Sequence, residues 1–349
     1  MITRRRLVAL APLFPVLLSA AKAFAQGKGT LRTKTLGNSD LKVSVLGIGG
    51  NSFGAPPGGT LAAGGTFAGR RVLDLEGSRA VINAAFDAGV TFYDTAEAYA
   101  NGGSETYLGE VLKDRRKQVV FATKWGGAAR GPAGKRAVVR DAVEGSLRRL
   151  QTDYIDLFQM HAPDPATPIV ETLQVLAELK KEGKIRHYGA SNYTVAMIEE
   201  ADKAAKSAGV PGFISVQNQY SLLENEAEKD VLPLCAKLNI GFIPYYPLAS
   251  GLLTGKYRRN QPAPAGTRLA NKPIDAATYD KIEKLEAFAK ARGHTLLDLA
   301  IAGLAAHPQI ATVIAGATQA DQVRENAVSA AWQLTAADAA ELSKLTAQI

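Results

Sequence analysis

Val90-Thr91-Phe92-Tyr93-Asp94, Val119-Val120-Phe121-Ala122-Thr123-Lys124 and Ile155-Asp156-Leu157-Phe158-Gln159-Met160-His161 share one form. Each is a short, mainly apolar run that ends on an ionisable residue. Runs without polar alternation read as strands buried on both faces, which is the signature of a parallel sheet covered by helices. The same form recurs along the chain. Strand-like segments at 43–48, 91–93, 119–123, 154–160, 185–189, 213–216, 241–245 and 310–314 alternate with helical patterns at 79–88, 105–113, 137–150, 169–182, 195–207, 226–238 and 276–306. A final helical pair covers 321–331 and 336–347. Eight such units in this length fit a closed barrel with insertions; an open doubly wound sheet would give the same alternation. Gly47-Ile48-Gly49-Gly50-Asn51-Ser52-Phe53-Gly54 lacks the G-x-G-x-x-G spacing of a dinucleotide fingerprint and is discounted as one. The Gly- and Pro-rich stretch 55–70 and the segment 257–273 read as long loops, which are more often functional than idle.

The ionisable strand ends carry the chemistry. In a barrel of this kind the active site lies at the C-terminal ends of the strands. Asp94, Lys124 and His161 end three successive strands there, and Tyr99 follows Asp94 closely enough to turn back over the same mouth. Taken singly each has an ordinary explanation: a helix cap, a solvated cation, a structural imidazole, a loop aromatic. Their convergence on one face is what favours a site.

Composition narrows the alternatives. The chain has 349 residues, 46% hydrophobic and 21% charged, as expected for a globular protein. Its formal charge of +8 is concentrated at the front: Arg4, Arg5, Arg6 and Lys22 leave 37 cations against 33 acids elsewhere, a net of +4. No long basic tract remains, which argues against nucleic-acid binding. Residues 1–25 read as a signal peptide: the charged head Thr3-Arg4-Arg5-Arg6, an apolar run over 7–21, and Ala23-Phe24-Ala25 as the cleavage site. Thr3-Arg4-Arg5-Arg6-Leu7-Val8 resembles a twin-arginine signal, which predicts the twin-arginine export machinery as a partner and a periplasmic location. An N-terminus that only imitates a signal would leave the protein in the cytoplasm. Cys235 is the single cysteine, so no disulfide forms within the chain, and its apolar surroundings mark it as a buried small hydrophobe.

The segments Asp94-Thr95-Ala96-Glu97-Ala98-Tyr99, Phe121-Ala122-Thr123-Lys124, Asp153 through His161, Glu182 through Asn192, Gln217-Asn218-Gln219-Tyr220 and Tyr245-Tyr246-Pro247-Leu248 together resemble the aldo-keto reductase family. The resemblance implies a (β/α)8 TIM barrel with an N-terminal β-hairpin and extra C-terminal helices, forming one domain over residues 31–349. It implies NADP(H) as cofactor, a small carbonyl or alcohol as substrate, no metal, and the tetrad Asp94, Tyr99, Lys124 and His161 as catalytic residues. Potassium-channel β subunits resemble this pattern too, so a cofactor-sensing regulatory role on the same fold is the alternative.

The chemistry fits those residue types. Hydride transfer to a carbonyl builds negative charge on oxygen, which calls for a proton donor. A free tyrosine titrates near about 10, and an adjacent ammonium lowers that value by favouring the phenolate. Asp94 would hold the Lys124 ammonium, and His161 would orient the carbonyl.

For the cofactor the resemblance implies Ser191, Asn192 and Gln217 around the carboxamide, with Tyr245 stacked on the nicotinamide. Leu248, Ser250, Gly251, Leu253 and Lys256 would wrap the pyrophosphate. Gly316, Thr318 and Gln322 would form the last phosphate loop, and Glu325 and Asn326 the adenine site. Many family members place a cation in that loop to grip the 2′-phosphate; here Thr318 and Gln322 stand instead, and Arg268, which matches another basic position of the family, is expected to compensate. Gly50 and Asn51 follow the first strand at the cofactor's edge. Asn51 stands where many members carry a bulky residue, predicting a wider, more polar substrate mouth, with Trp125 as a further pocket wall.

The export reading has a direct test. N-terminal sequencing of protein from cell fractions is expected to find mature chain starting at Gln26, with Arg4 and Arg5 both required. Full-length chain confined to the cytoplasm would refute it.

Overall fold

The computed structural model describes residues 31–55, 72–127, 132–270 and 272–348. The signal expected over 1–25 and nearly all of the loop expected at 55–70 lie outside them. Eight parallel strands form the barrel: β3 (Leu46–Gly49), β4 (Phe92–Asp94), β5 (Val120–Trp125), β6 (Ile155–Met160), β7 (Ile185–Ser191), β8 (Ser215–Gln219), β9 (Gly241–Tyr245) and β10 (Val313–Gly316). They are hydrogen-bonded in the order β10-β3-β4-β5-β6-β7-β8-β9. The seam between β9 and β10 closes just upstream of β10. There Phe242 bridges Ile310 in parallel register and its N–H donates to the Gln309 carbonyl at 2.8 Å.

All six residues of β5 and all six of β6 are buried, which explains why these strands read as unbroken apolar runs. One face packs inward and the other lies under helices. The helices are α1 (Leu75–Asp87), α2 (Gly103–Leu112), α3 (Arg136–Leu150), α4 (Ile169–Lys181), α5 (Val195–Ala208), α6 (Val231–Leu238), α7 (Ala276–Lys290), α8 (Leu296–Ala305), α9 (Ala320–Ser329) and α10 (Ala336–Thr346). Together with the outward strand residues they form the larger apolar cluster.

A smaller cluster fills the barrel: Phe92, Val120, Ala122, Leu157, Ile243 and Ile314 from the strands meet Leu36, Leu41 and Val43 from below. Those last three belong to the antiparallel hairpin of β1 (Thr33–Thr35) and β2 (Lys42–Ser44), which plugs the floor. The single strand expected at 43–48 is therefore two. Ser44 marks the corner, donating its hydroxyl to the Leu46 carbonyl at 2.6 Å and accepting the Thr91 N–H at 2.9 Å. The chain bends there because these bonds satisfy polar groups that a continuous ladder would otherwise use.

Two helical expectations also divide. The pattern at 276–306 is two helices, because Thr295 and Asp298 form a reciprocal capping box that starts α8 afresh. The pattern at 226–238 is a short 3-10 turn followed by α6, whose first N–H is capped by Asp230 at 2.6 Å. The last barrel strand falls at Val313–Gly316 rather than 310–314, since Ile310 is used in closing the seam.

The plug depends on close backbone approach at its turn. Gly37 has φ +56°, and a Cβ there would lie 2.3 Å from the Ile214 carbonyl oxygen and 2.6 Å from the Gly241 nitrogen. Gly37→Ala is expected to lower stability by about 1–3 kcal/mol through strain and clash together. Urea unfolding measures it; a loss below about 0.5 kcal/mol would mean the hairpin adjusts without cost.

Candidate active site

Lys124 ends the inward row of β5, in register with Gln159 on β6, while Asp94 on β4 stands in register with Ala122, two residues earlier on β5. Its side chain is 1% exposed and that of Asp94 5%. The ammonium has three N–H donors to satisfy. One goes to Asp94 Oδ2 at 2.7 Å and one to the Thr95 carbonyl at 2.8 Å. Tyr99 supplies a further hydrogen-bonded contact, with its ring centroid 5.1 Å from Nζ. Burial alone would pull the lysine down, but Asp94 and then Tyr99 outweigh it, and the net shift is upward. The remaining Asp94 oxygen, Oδ1, accepts from Gln217 Nε2 at 2.9 Å. Asp94 thus ties β5 and β8 together across the mouth.

Tyr99 stands on the loop after β4. The Thr95 N–H donates to Ala122 O at 2.8 Å and the Glu97 N–H to Lys124 O at 3.0 Å, so the loop first continues along β5. It then reverses through Ala100 (φ 50°), Asn101 (φ 51°) and Gly102 (φ 86°). Left-handed backbone costs about 1–2 kcal/mol for a non-glycine residue, so the surroundings must hold it. Burial pushes the Tyr99 phenol above its ordinary value; Lys124 opposes that shift without overcoming it. The expectation that the lysine would leave the phenol lowered is therefore corrected: in this structure desolvation is the larger effect.

His161 follows β6, with its ring centroid 5.8 Å from that of Tyr99 in an edge-on arrangement. Burial, assisted by the Lys124 charge, pushes its pKa down to about 3, so the imidazole is neutral at physiological pH. A neutral ring retains one N–H for an oxygen ligand. The His161 carbonyl accepts from Asn192 Nδ2 at 2.8 Å. Asn192 Oδ1 in turn accepts from the Tyr245 hydroxyl at 2.7 Å, and Ser191 donates to the Gln217 carbonyl at 2.8 Å. Asp94, Tyr99, Lys124, His161, Ser191, Asn192, Gln217 and Tyr245 thus line one end of the barrel, linked by hydrogen bonds and ring contacts.

A model of the aldo/keto reductase family matches residues 46–347. The chain belongs to that family. It is 36% identical over 300 residues to the aldo-keto reductase YhdN of Bacillus subtilis, covering 82% of this chain and 88% of that one. A probable voltage-gated potassium channel subunit beta of rice is also 36% identical, over 313 residues and 85% and 90% of the two chains. Among solved structures, the holo form of aldo-keto reductase AKR11C1 from Bacillus halodurans superposes with a TM-score of 0.72 at 33% identity, covering 90% and 96%. The glycerol dehydrogenase AKR11B4 from Gluconobacter oxydans gives 0.74 at 28%, covering 90% and 95%.

The mouth of this aldo/keto reductase fits a nicotinamide cofactor on its own donor set. Gln217 spends one amide hydrogen on Asp94, and its amide carbonyl is an acceptor of the kind a carboxamide N–H requires. After β9, Tyr246, Ala249 and Ser250 take positive φ values of 55°, 46° and 58°. Successive turns of this kind form the concave backbone that suits a pyrophosphate. Lys256 lies beside it, since a Cβ on Gly251 would sit 3.0 Å from its Nζ. Gly316 adjoins Asn51, whose Oδ1 would be 3.9 Å from a Cβ there. Gln322 Oε1 accepts the Thr318 N–H at 2.9 Å and so braces the loop after β10. Arg324 pairs with Asp321, and Arg268 stands over the Tyr246 ring at 6.0 Å. Glu325 is exposed and Asn326 buried on α9.

One expected contact is corrected. Trp125 is fully buried, stacked on Phe158 at 4.4 Å and donating Nε1–H to the Ala133 carbonyl at 3.0 Å, so it packs the barrel wall rather than lining a pocket. Of the two leucines after β9, Leu253 is fully buried in the core and Leu248 is part-exposed. The sequence reading also passed over Glu105 and Arg149, which meet at 2.7 Å behind the Tyr99 loop. An acidic residue in a first helical turn is common enough to carry no signal.

The depressed His161 has a stability consequence. Between its folded value of about 3 and its ordinary 6.5 the unfolded chain binds more protons, so stability rises with pH across that window and is lost on acidification. His161→Gln is expected to flatten the slope of unfolding free energy between roughly pH 4 and 6.5, measured by urea titration. An unaltered slope would assign it to another group.

Proposed function

We propose that this protein reduces the carbonyl group of a small aldehyde, ketone or sugar-like substrate to an alcohol with NADPH, after export to the periplasm. The arrangement that carries the reading is the buried Lys124 ammonium, neutralised by Asp94 at 2.7 Å and in contact with Tyr99, beside a neutral His161. NADPH, when bound, supplies the hydride. Tyr99 gives its proton to the carbonyl oxygen and takes one back from solvent; its raised pKa keeps it protonated for that task. Lys124 stabilises the phenolate left behind, and Asp94 keeps Lys124 charged and fixed. His161 donates a hydrogen bond to the same oxygen and orients the substrate without adding charge. Ser191, Asn192, Gln217 and Tyr245 would hold the nicotinamide, and Arg268 the 2′-phosphate. Similarity to a glycerol dehydrogenase supports substrates of polar, hydroxylated type.

Similarity to potassium channel β subunits favours one second reading, a cofactor-sensing protein with slow turnover. The rate of cofactor exchange separates the two: release faster than turnover supports the enzyme, and retention across many turnover times supports the sensor.

Tyr99→Phe keeps the ring and removes the proton. Turnover of a reactive aldehyde is expected to fall roughly 10²–10⁴-fold while cofactor binding survives, and Lys124→Met should cripple turnover as well. If Tyr99→Phe keeps most of its activity, another group carries the proton. Fluorescence titration is expected to show tighter binding of NADPH than NADH, with Arg268→Ala narrowing the gap; equal affinities in the parent protein would rule out the NADP preference.

A further inference from the structure

Behind the Tyr99 loop lies a charged cluster outside the tetrad. Glu105, in the first turn of α2, has a side chain with no exposure. Its Oε1 accepts from Thr123 Oγ1 at 2.6 Å and its Oε2 from Arg149 Nε at 2.7 Å. Thr123 immediately precedes Lys124 on β5, and Arg149 reaches across from the end of α3. The Arg149 stem presses on the reversal of the loop: a Cβ on Gly102 would sit 2.4 Å from its Cδ and 2.6 Å from its Nε. A second chain of bonds secures the base of the loop. Thr95 Oγ1 donates to Ser104 Oγ at 2.8 Å, and Ser104 Oγ to the Gly50 carbonyl at 2.7 Å.

A fully buried carboxylate that joins one helix to a second helix and to the lysine's own strand is a costly feature. Such groups persist when they enforce an arrangement that packing alone would not select. The arrangement enforced here is the left-handed run at 100–102 that begins one residue after Tyr99. We propose that Glu105 and Arg149 are positioning residues for Tyr99: they hold the loop reversed so that the phenol stays against Lys124. The inference rests on the reading of Tyr99 as the proton donor. Neither residue touches the substrate, so their effect passes through Tyr99 and leaves the cofactor wall on β7, β8 and β9 alone.

The test compares purified Glu105→Gln, Arg149→Lys, Tyr99→Phe and the double variant Glu105→Gln/Tyr99→Phe with the parent. Cofactor affinity is measured by fluorescence titration and turnover is expressed per cofactor-binding site, which removes misfolded material from the comparison. Displacement of a reacting group by about 1 Å costs roughly 10²-fold, so Glu105→Gln is expected to lose about that much turnover with cofactor affinity within about twofold of the parent. In the Tyr99→Phe background the same substitution is expected to cost nothing further, because the two act as one unit. Undiminished turnover in Glu105→Gln, or an equal loss repeated in the Tyr99→Phe background, overturns the inference. Should Glu105→Gln fail to fold, Arg149→Lys, which keeps the charge at a part-exposed site, decides it: a smaller loss with intact cofactor binding supports the clamp, and full turnover refutes it. If Tyr99→Phe itself stays active, the proton assignment fails; if it collapses while both clamp variants remain fully active, only the clamp is wrong.

Discussion

A lysine ammonium sealed inside a protein is tolerable only when a counter-charge and hydrogen-bond acceptors replace the water it has lost. Lys124 meets that condition with Asp94, the Thr95 carbonyl and Tyr99. Each partner constrains a different part of the molecule. Asp94 must stand at the end of β4 and receive Gln217 from β8; Thr95 must turn its carbonyl inward; the loop beyond must bring Tyr99 back over β5. Taking away one partner of a buried pair typically costs about 3–5 kcal/mol, because the other charge is left uncompensated. The same contacts therefore tie the stability of the barrel to the geometry of its mouth.

Electrostatics then divides the labour among the neighbours. The ammonium that stays charged helps to keep His161 neutral and works against the desolvation of Tyr99. Because burial dominates at Tyr99, the phenol keeps its proton in the resting protein. The amide row opposite is organised by bonds running from His161 through Asn192 to Tyr245, and the Asp94–Gln217 bond joins it to the Lys124 cluster.

The expectations that changed did so because facing, closure and long-range contacts are set by the packed barrel; at Trp125 the deciding factor is which face of its strand it occupies. Trp125 follows Lys124 directly, and successive strand residues point to opposite faces. With Lys124 inward, the indole must face the helices, where it stacks on Phe158. The split of the first strand at Ser44, and the shift of the last to Val313–Gly316, follow from barrel closure, which no local window contains. Glu105 escaped notice because its partners Thr123 and Arg149 are far from it in sequence and acquire meaning only once α2, β5 and α3 are packed.

The sequence by itself determined the eightfold alternation of strand and helix, because continuous apolar runs and amphipathic periods are local properties of the chain. It also determined that Asp94, Lys124 and His161 lie within a residue of the ends of successive strands, since a polar residue closing an apolar run marks its own position. Tertiary structure alone decided how those charges settle. Burial raised Tyr99 against the pull of Lys124, desolvation neutralised His161, and Trp125 turned away from the mouth. Desolvation and facing are set by atoms brought together from distant parts of the chain, and so they exist only after the barrel has closed.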